Sequence, residues 1–269
     1  MEGFKVISGV WAALPNIYGW SDVKVGHTLE HLMGRGIDGL FVLGTTGQGA
    51  DFSVGERQML LERLCHLGPD PKRVVVAVSA NAATDVRELM QHAANAGVRG
   101  MAMTPPFYGR FGEEEIERWV KTIFAGQTKS GEMYLYNMPA VGHAVWSLPL
   151  VRAVDSLVGV DGIKDSSGET EWLLRYLDWV EGRDASVLVG DERLTTYSAL
   201  AGGHGAVSGL STAYPELMVD LVAACRQKDW ESAMGLQRRV NHYLEAFRGL
   251  TPHGAGQALI AAMVQNGIG

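Results

Sequence analysis

The chain has 269 residues, 46% of them hydrophobic, and a formal charge of −7, with a mean hydropathy near zero. That is enough apolar surface for a sizeable core in one large domain. An acidic balance without a Lys/Arg cluster excludes nucleic acid as an expected partner. The two cysteines, Cys65 and Cys225, are too few for a disulfide scaffold and fit a reducing cytoplasm. The start, MEGFKVISGV, lacks the basic opening and long apolar core of a signal peptide. The longest stretch without Asp, Glu, Lys or Arg, Leu194 to Pro215, is full of Gly, Ser and Thr and does not suit lipid. A soluble, cytoplasmic protein with no membrane partner is expected.

In chain order, the apolar and β-branched runs are VISGVWAAL from Val6, GLFVLGT from Gly39, RVVVAVS from Arg73 and GMAMTP from Gly100. EMYLYN from Glu132, VDGIK from Val160, SVLVG from Ser186 and GAVSG from Gly205 follow. Several are apolar continuously, as parallel strands covered on both faces are. Their spacing is mostly close to the roughly 30 residues of a βαβ unit. Between them lie amphipathic helical segments. Ser53 and Glu56 form a capping-box pattern ahead of Leu60, Leu61 and Leu64 on one face. EEEIERWVKTIF places three glutamates at a helix start, where the macrodipole favours them. Ser166 and Glu169 are expected to cap the helix carrying EWLLRYL. Eight such repeats without a linker predict an α/β fold, a (β/α)₈ TIM barrel over 1–215. A doubly wound sheet is the alternative. Residues 216–269 are expected to supply the last barrel helix and a C-terminal helical appendage.

Active sites of such barrels lie at the C-terminal strand ends. These are GTTGQG (44–49), TPPFYGR (104–110), YNMPAVGH (136–143), KDSSG (164–168), GDE (190–192) and VSGLS (207–211). No His-x-x-x-His or Cys-x-x-Cys pair occurs, so no metal is expected. GTTGQG is neither a dinucleotide fingerprint nor a Walker loop, and no cofactor is expected. Lys164 ends an apolar run, which on its own suits a solvated strand end. A lysine amine withdrawn from water into a barrel mouth is instead a nucleophile toward ketones. Tyr136 suits proton transfer, since its hydroxyl both donates and accepts; a core tyrosine is the alternative. GTTGQG offers successive N–H groups suited to a carboxylate. Asp165 reads as a cap of the next helix.

GTTG, TPPFYG, YNMP and GIKDSSG, in this order and at these intervals, resemble the dihydrodipicolinate synthase and N-acetylneuraminate lyase family, from about Gly9 to Pro215. These are pyruvate-dependent class I aldolases on a TIM barrel. The resemblance implies that Lys164 forms the Schiff base and that Tyr136 shuttles the proton. It assigns the pyruvyl carboxylate to Thr45 and Thr46 of the GTTG turn with Gly47, and lines the pocket with Gly190 and Val207. Tyr108 often reaches a neighbouring subunit's site in that family and would complete a relay with Thr45 and Tyr136. A homo-oligomer, dimer or tetramer, is therefore expected.

The departures bear on the second substrate. The synthases carry an arginine for its carboxylate where this chain has Val141, a substrate-lining position. The usual G-T-T-G-E ends in Gln48, and LPNIYGW replaces the first strand's T-P-F. An uncharged Val141, with Gln48, Ser208, Ser211 and Thr212 expected near the mouth, suits a polyhydroxylated chain. The expected reaction is reversible cleavage of a 2-keto-3-deoxy sugar acid, or a related 4-hydroxy-2-keto acid, to pyruvate and an aldehyde. The synthase reaction with aspartate semialdehyde is the alternative, with His143 or Arg110 supplying the missing charge. A catalytically silent ligand-binding barrel and a metal-dependent enzyme are the other readings.

Overall fold

A computed structural model describes residues 6–268; residues 1–5, part of the start read above, and residue 269 lie outside it. Strands β1 (Gly9–Ala13), β2 (Gly39–Val42), β3 (Val74–Ala77) and β4 (Gly100–Met103) are followed by β5 (Glu132–Asn137), β6 (Gly162–Asp165), β7 (Ser186–Val189) and β8 (Gly205–Ser208). All pair in parallel in sequence order, and β8 closes on β1. The TIM barrel expected from the repeats is the fold, and the doubly wound alternative is excluded by closure.

The outer ring is α1 (Asp22–Gly34), α2 (Val54–Leu67), α3 (Ala83–Asn95), α4 (Glu113–Phe124), a short α5 (Pro139–Gly142), α6 (Leu148–Val158), α7 (Thr170–Val180), α8 (Thr195–Leu200) and α9 (Pro215–Arg226). Two further helices, α10 (Trp230–Glu245) and α11 (Pro252–Gln265), follow the eighth barrel helix. The capping box at Ser53 and Glu56 is present in full, with both reciprocal bonds made. The α4 glutamates also sit as read, and Glu115 takes the Gly112 N–H at 2.8 Å. Ser166 and Glu169 do not cap α7. Glu169 occupies the N-cap position without a side-chain bond, and its own N–H goes to Ser167 Oγ at 3.2 Å.

Strand side chains alternate between the helices and the barrel axis, so two cores form. The larger lies between strands and helices, and the inner one holds Trp11, Phe41, Tyr134, Tyr136, Leu188 and Val207 among others. Large rings at the axis need bare backbone beside them. A Cβ on Gly39 would meet the Trp11 ring at 2.4 Å, and one on Gly100 or Gly162 would meet the Tyr134 ring at 2.8 or 3.0 Å. Trp11 and Tyr134 therefore fill the axis below the catalytic end. Above them the inward residues Ala13, Ala77 and Ala102 are small, which leaves room at the C-terminal mouth.

Candidate active site

At that mouth a cavity of about 540 Å³ is lined by Lys164, Tyr136, Thr45, Thr46, Gly190 and Val207. Lys164 is 5% exposed. Its Nζ lies 4.0 Å from the ring centroid of Phe41 and 4.0 Å from that of Tyr136. Among the described residues it makes no ion pair, so two π faces stand where a counter-ion would otherwise sit. The Phe41 and Tyr136 rings meet edge-to-face at 5.6 Å, which fixes the slot. Tyr136 is 3% exposed, and its hydroxyl shares a hydrogen bond of 3.0 Å with Thr45 Oγ1.

The GTTGQG turn is shaped by backbone geometry. Leu43 and Gln48 both take positive φ, 57° and 55°, a costly conformation outside glycine. The turn folds back so tightly that a Cβ on Gly49 would lie 1.9 Å from the Leu43 carbonyl. Gln48 and Gly49 donate back to Thr45 and Gly44, both at 3.1 Å. The N–H groups of Thr45, Thr46 and Gly47 have no protein acceptor among the described residues. Gly47 itself is set back from the cavity, against the Leu14 carbonyl and Leu43 backbone; its place is in the turn, not in the wall. Gly190 makes room for the lysine, since a Cβ there would meet Ser166 Oγ at 2.0 Å and Lys164 Cε at 3.0 Å.

Other residues lie elsewhere than the sequence suggested. Tyr108 is 91% exposed, its loop held by Asn81, whose Oδ1 accepts the N–H groups of Phe107 and Tyr108 at 2.8 and 2.9 Å. Within one chain it does not join Thr45 and Tyr136. Val141 lines a second cavity of about 230 Å³, on which Thr45 and Tyr136 also border, with Leu43, Ala77 and Phe107. Ser208, Ser211 and Thr212 are 0% exposed, and their hydroxyls donate to Glu192 Oε1 on the loop after β7, to Ser208 O and to Gly209 O. Gln48 accepts from Asn16 at 2.7 Å. The expectation that Ser208, Ser211 and Thr212 read substrate hydroxyls is therefore corrected, since their own hydroxyls are bonded inside the protein; Gln48 borders the second cavity beside Thr45, Tyr136 and Val141. Asp165 is no helix cap either. Its carboxylate accepts from Asn137, Ser167 N–H and Ser167 Oγ, and burial pushes its pKa up against those bonds.

The KDSSG and GDE strand ends supply part of the outer wall, while Arg193, Glu245, Arg248 and Leu250 were not anticipated from the sequence. Ser166, Asp191, Glu192 and Arg193 line the cavity, as do Glu245, Arg248 and Leu250 around the α10–α11 connection. Glu192 Oε1 accepts from Ser208 Oγ at 3.0 Å and the Leu210 N–H at 3.1 Å. Arg193 pairs with Asp191 and Arg248 with Glu245. Arg57 was also missed. It is 3% exposed and caps the end of β3 by donating to Ala77 O at 2.7 Å and Ser79 O at 2.8 Å. Burial pulls its pKa down to about 10, opposed by Asp85. For residues on the α10–α11 connection and for a helix-borne arginine such as Arg57, no strand-end signal exists.

A closed parallel barrel with a carboxylate-free lysine and a Thr–Tyr hydroxyl pair at its mouth defines a class of lyase. Residues 21–253 match the model of the dihydrodipicolinate synthetase family, and the chain belongs to that family of pyruvate-dependent lyases and aldolases. It is 30% identical over 215 residues to a 4-hydroxy-tetrahydrodipicolinate synthase of Bartonella bacilliformis, covering 79% of this chain and 71% of that one. It is 27% identical over 227 residues to Escherichia coli YagE, provisionally named a 2-dehydro-3-deoxy-D-gluconate aldolase, covering 83% of this chain and 74% of that one. The structure of YagE in complex with pyruvate superposes with a TM-score of 0.87 at 24% identity, over 98% of this chain and 90% of that one. The dihydrodipicolinate synthase of Bacteroides thetaiotaomicron gives 0.87 at 27% identity, over 97% and 89%.

Proposed function

We propose that the chain reversibly cleaves a 2-keto-3-deoxy sugar acid, or a related 4-hydroxy-2-keto acid, to pyruvate and an aldehyde. The reading rests on one observation: Lys164 Nζ is buried at the mouth, held by π faces and no carboxylate, beside the Thr45–Tyr136 hydroxyl pair. The amine adds to the substrate's C2 carbonyl and water leaves, giving a protonated imine. The unbonded N–H groups of Thr45 and Thr46 receive the C1 carboxylate. Tyr136 takes the C4 hydroxyl proton, the C3–C4 bond breaks, and its electrons flow to the iminium as an enamine. The aldehyde departs. A proton on C3 and water on C2 then release pyruvate and restore the amine. YagE, crystallised with pyruvate, supports the three-carbon end of this scheme.

The aldehyde end carries the choice of substrate. No arginine stands at Val141, whose side chain borders an apolar cavity, and a second substrate's carboxylate would lose a bidentate partner there. Glu192, on the main cavity wall, suits a hydroxyl donor instead. Tyr108 is proposed to enter a partner's site, which requires at least a dimer. The synthase reading keeps a place because the Bartonella relative bears that name. Pyruvate release from a panel of 2-keto-3-deoxy acids, run beside condensation of pyruvate with aspartate semialdehyde, separates the two. Release from the sugar acids is expected; turnover in the semialdehyde reaction alone overturns the choice.

A further inference from the structure

On β5 and β6 the inward residues Tyr136 and Lys164 are register partners, and so are the next pair, Asn137 and Asp165. Alternation turns that second pair outward, away from the cavity. Both are buried, at 0% and 1% exposure. Asn137 Nδ2 donates to Asp165 Oδ1 at 2.8 Å. On its other side Asn137 Oδ1 accepts the Trp146 N–H at 3.1 Å, which ties in the chain returning from α5. Asp165 is held by Ser167, just past the strand end, through its N–H at 3.2 Å and its hydroxyl at 3.1 Å. The cross-link sits where the backbone ladder stops: Ser166 N–H to Asn137 O, at 2.8 Å, is the last main-chain bond between the two strands.

We propose that Asn137 and Asp165 are positioning residues, a side-chain cross-link outside the barrel that sets the distance between Tyr136 and Lys164 inside it. The inference rests on the roles given to those two residues above. Both reacting side chains hang from the last residues but one of their strands, where few main-chain bonds resist splaying. A displacement of about 1 Å between reacting groups can cost roughly 100-fold in rate. The residue types fit the task. Position 137 needs a donor toward a carboxylate and an acceptor toward the Trp146 N–H, and an amide supplies both from one side chain. Neither side chain reaches the cavity, so their influence on the reaction passes through the strands alone.

A charge swap tests the proposal. Asn137→Asp sets two carboxylates face to face, which repel. Adding Asp165→Asn restores one donor and one acceptor across the strands, and the Trp146 N–H still meets an oxygen. In Asn137→Asp, turnover is expected to fall by roughly 100-fold, while borohydride still traps pyruvate on Lys164. The double variant should recover most of the lost turnover. A merely structural pair would lower trapping and turnover together. If Asn137→Asp does not fold, Asn137→Ala replaces it, with the same loss of turnover and retained adduct expected. Unchanged turnover in folded Asn137→Ala, or a folded double variant no faster than Asn137→Asp, overturns the proposal. Absence of the adduct from the wild-type protein would instead refute the assignment of Lys164, and is read before any variant.

Discussion

At position 190 a methyl group would lie 2.0 Å from Ser166 Oγ and 3.0 Å from Lys164 Cε, so the space of the lysine side chain depends on a residue 26 positions away. Such dependence explains what a sequence does and does not disclose at this scale. Lys164 and Tyr136, one residue short of their strand ends, and Thr45 and Thr46, in the turn after β2, are legible because strand ends converge at a barrel mouth. Ser208, Ser211 and Thr212 lie at or just past the end of β8, yet their hydroxyls are taken by Glu192, Ser208 O and Gly209 O; polar residue type alone does not tell a binding group from a structural one. The proposed division of labour between Lys164 and Tyr136 has a direct consequence. Tyr136→Phe removes the hydroxyl bonded to Thr45 and leaves the ring beside Nζ. The variant should form the imine normally and lose turnover by roughly 10²- to 10⁴-fold, the usual worth of a general acid–base group. Single-turnover trapping beside steady-state pyruvate release measures the two separately, and unchanged turnover would leave Tyr136 as packing.

Between elements, closure of the barrel depends on short strands and on side chains that extend their pairing. β7 and β8 share a short ladder, and His204, just before β8, lengthens it. Its N–H donates to Val187 O at 3.0 Å, and its ring Nδ1 accepts the Val187 N–H at 3.2 Å. An accepting ring nitrogen must be unprotonated. Burial lowers the His204 pKa from its ordinary 6.5. A depressed folded-state pKa means that the unfolded chain binds the proton first as pH falls. The contribution of His204 is therefore complete above about 6.5 and is lost as pH drops through the lower folded value. Thermal melts between pH 8 and pH 5 should show a fall that is smaller in His204→Gln; an identical pH dependence would contradict this account. The strands and helices themselves follow from apolar runs, caps and the αβ period. The bond from His204 does not, because a ring between two glycines in GGHGAVS reads as a loop.

For the whole molecule, the sequence pattern yields the closed barrel and the two extra helices, because eight similar repeats admit few other solutions. The cavity's outer wall is less accessible: Leu244, Glu245 and Arg248 come from the chain beyond the barrel, and no strand-end rule points to them. Nor does one chain account for Tyr108, which stands 91% exposed on a loop that Asn81 fixes. A large aromatic held out in a fixed pose suits insertion into a second copy, whose contacts are reciprocal in a two-fold pair. Mixing Lys164→Ala with Tyr108→Phe tests this. If each site borrows its tyrosine, mixed oligomers should regain activity that neither variant has alone; no gain on mixing would return Tyr108 to the surface. All of these expectations hang on the chemistry of one amine. Borohydride reduction in the presence of pyruvate, followed by peptide mass spectrometry, tests it directly. The account predicts a reduced three-carbon adduct on the peptide containing Lys164, absent from Lys164→Ala. No adduct there, or an equal one in the variant, would contradict it.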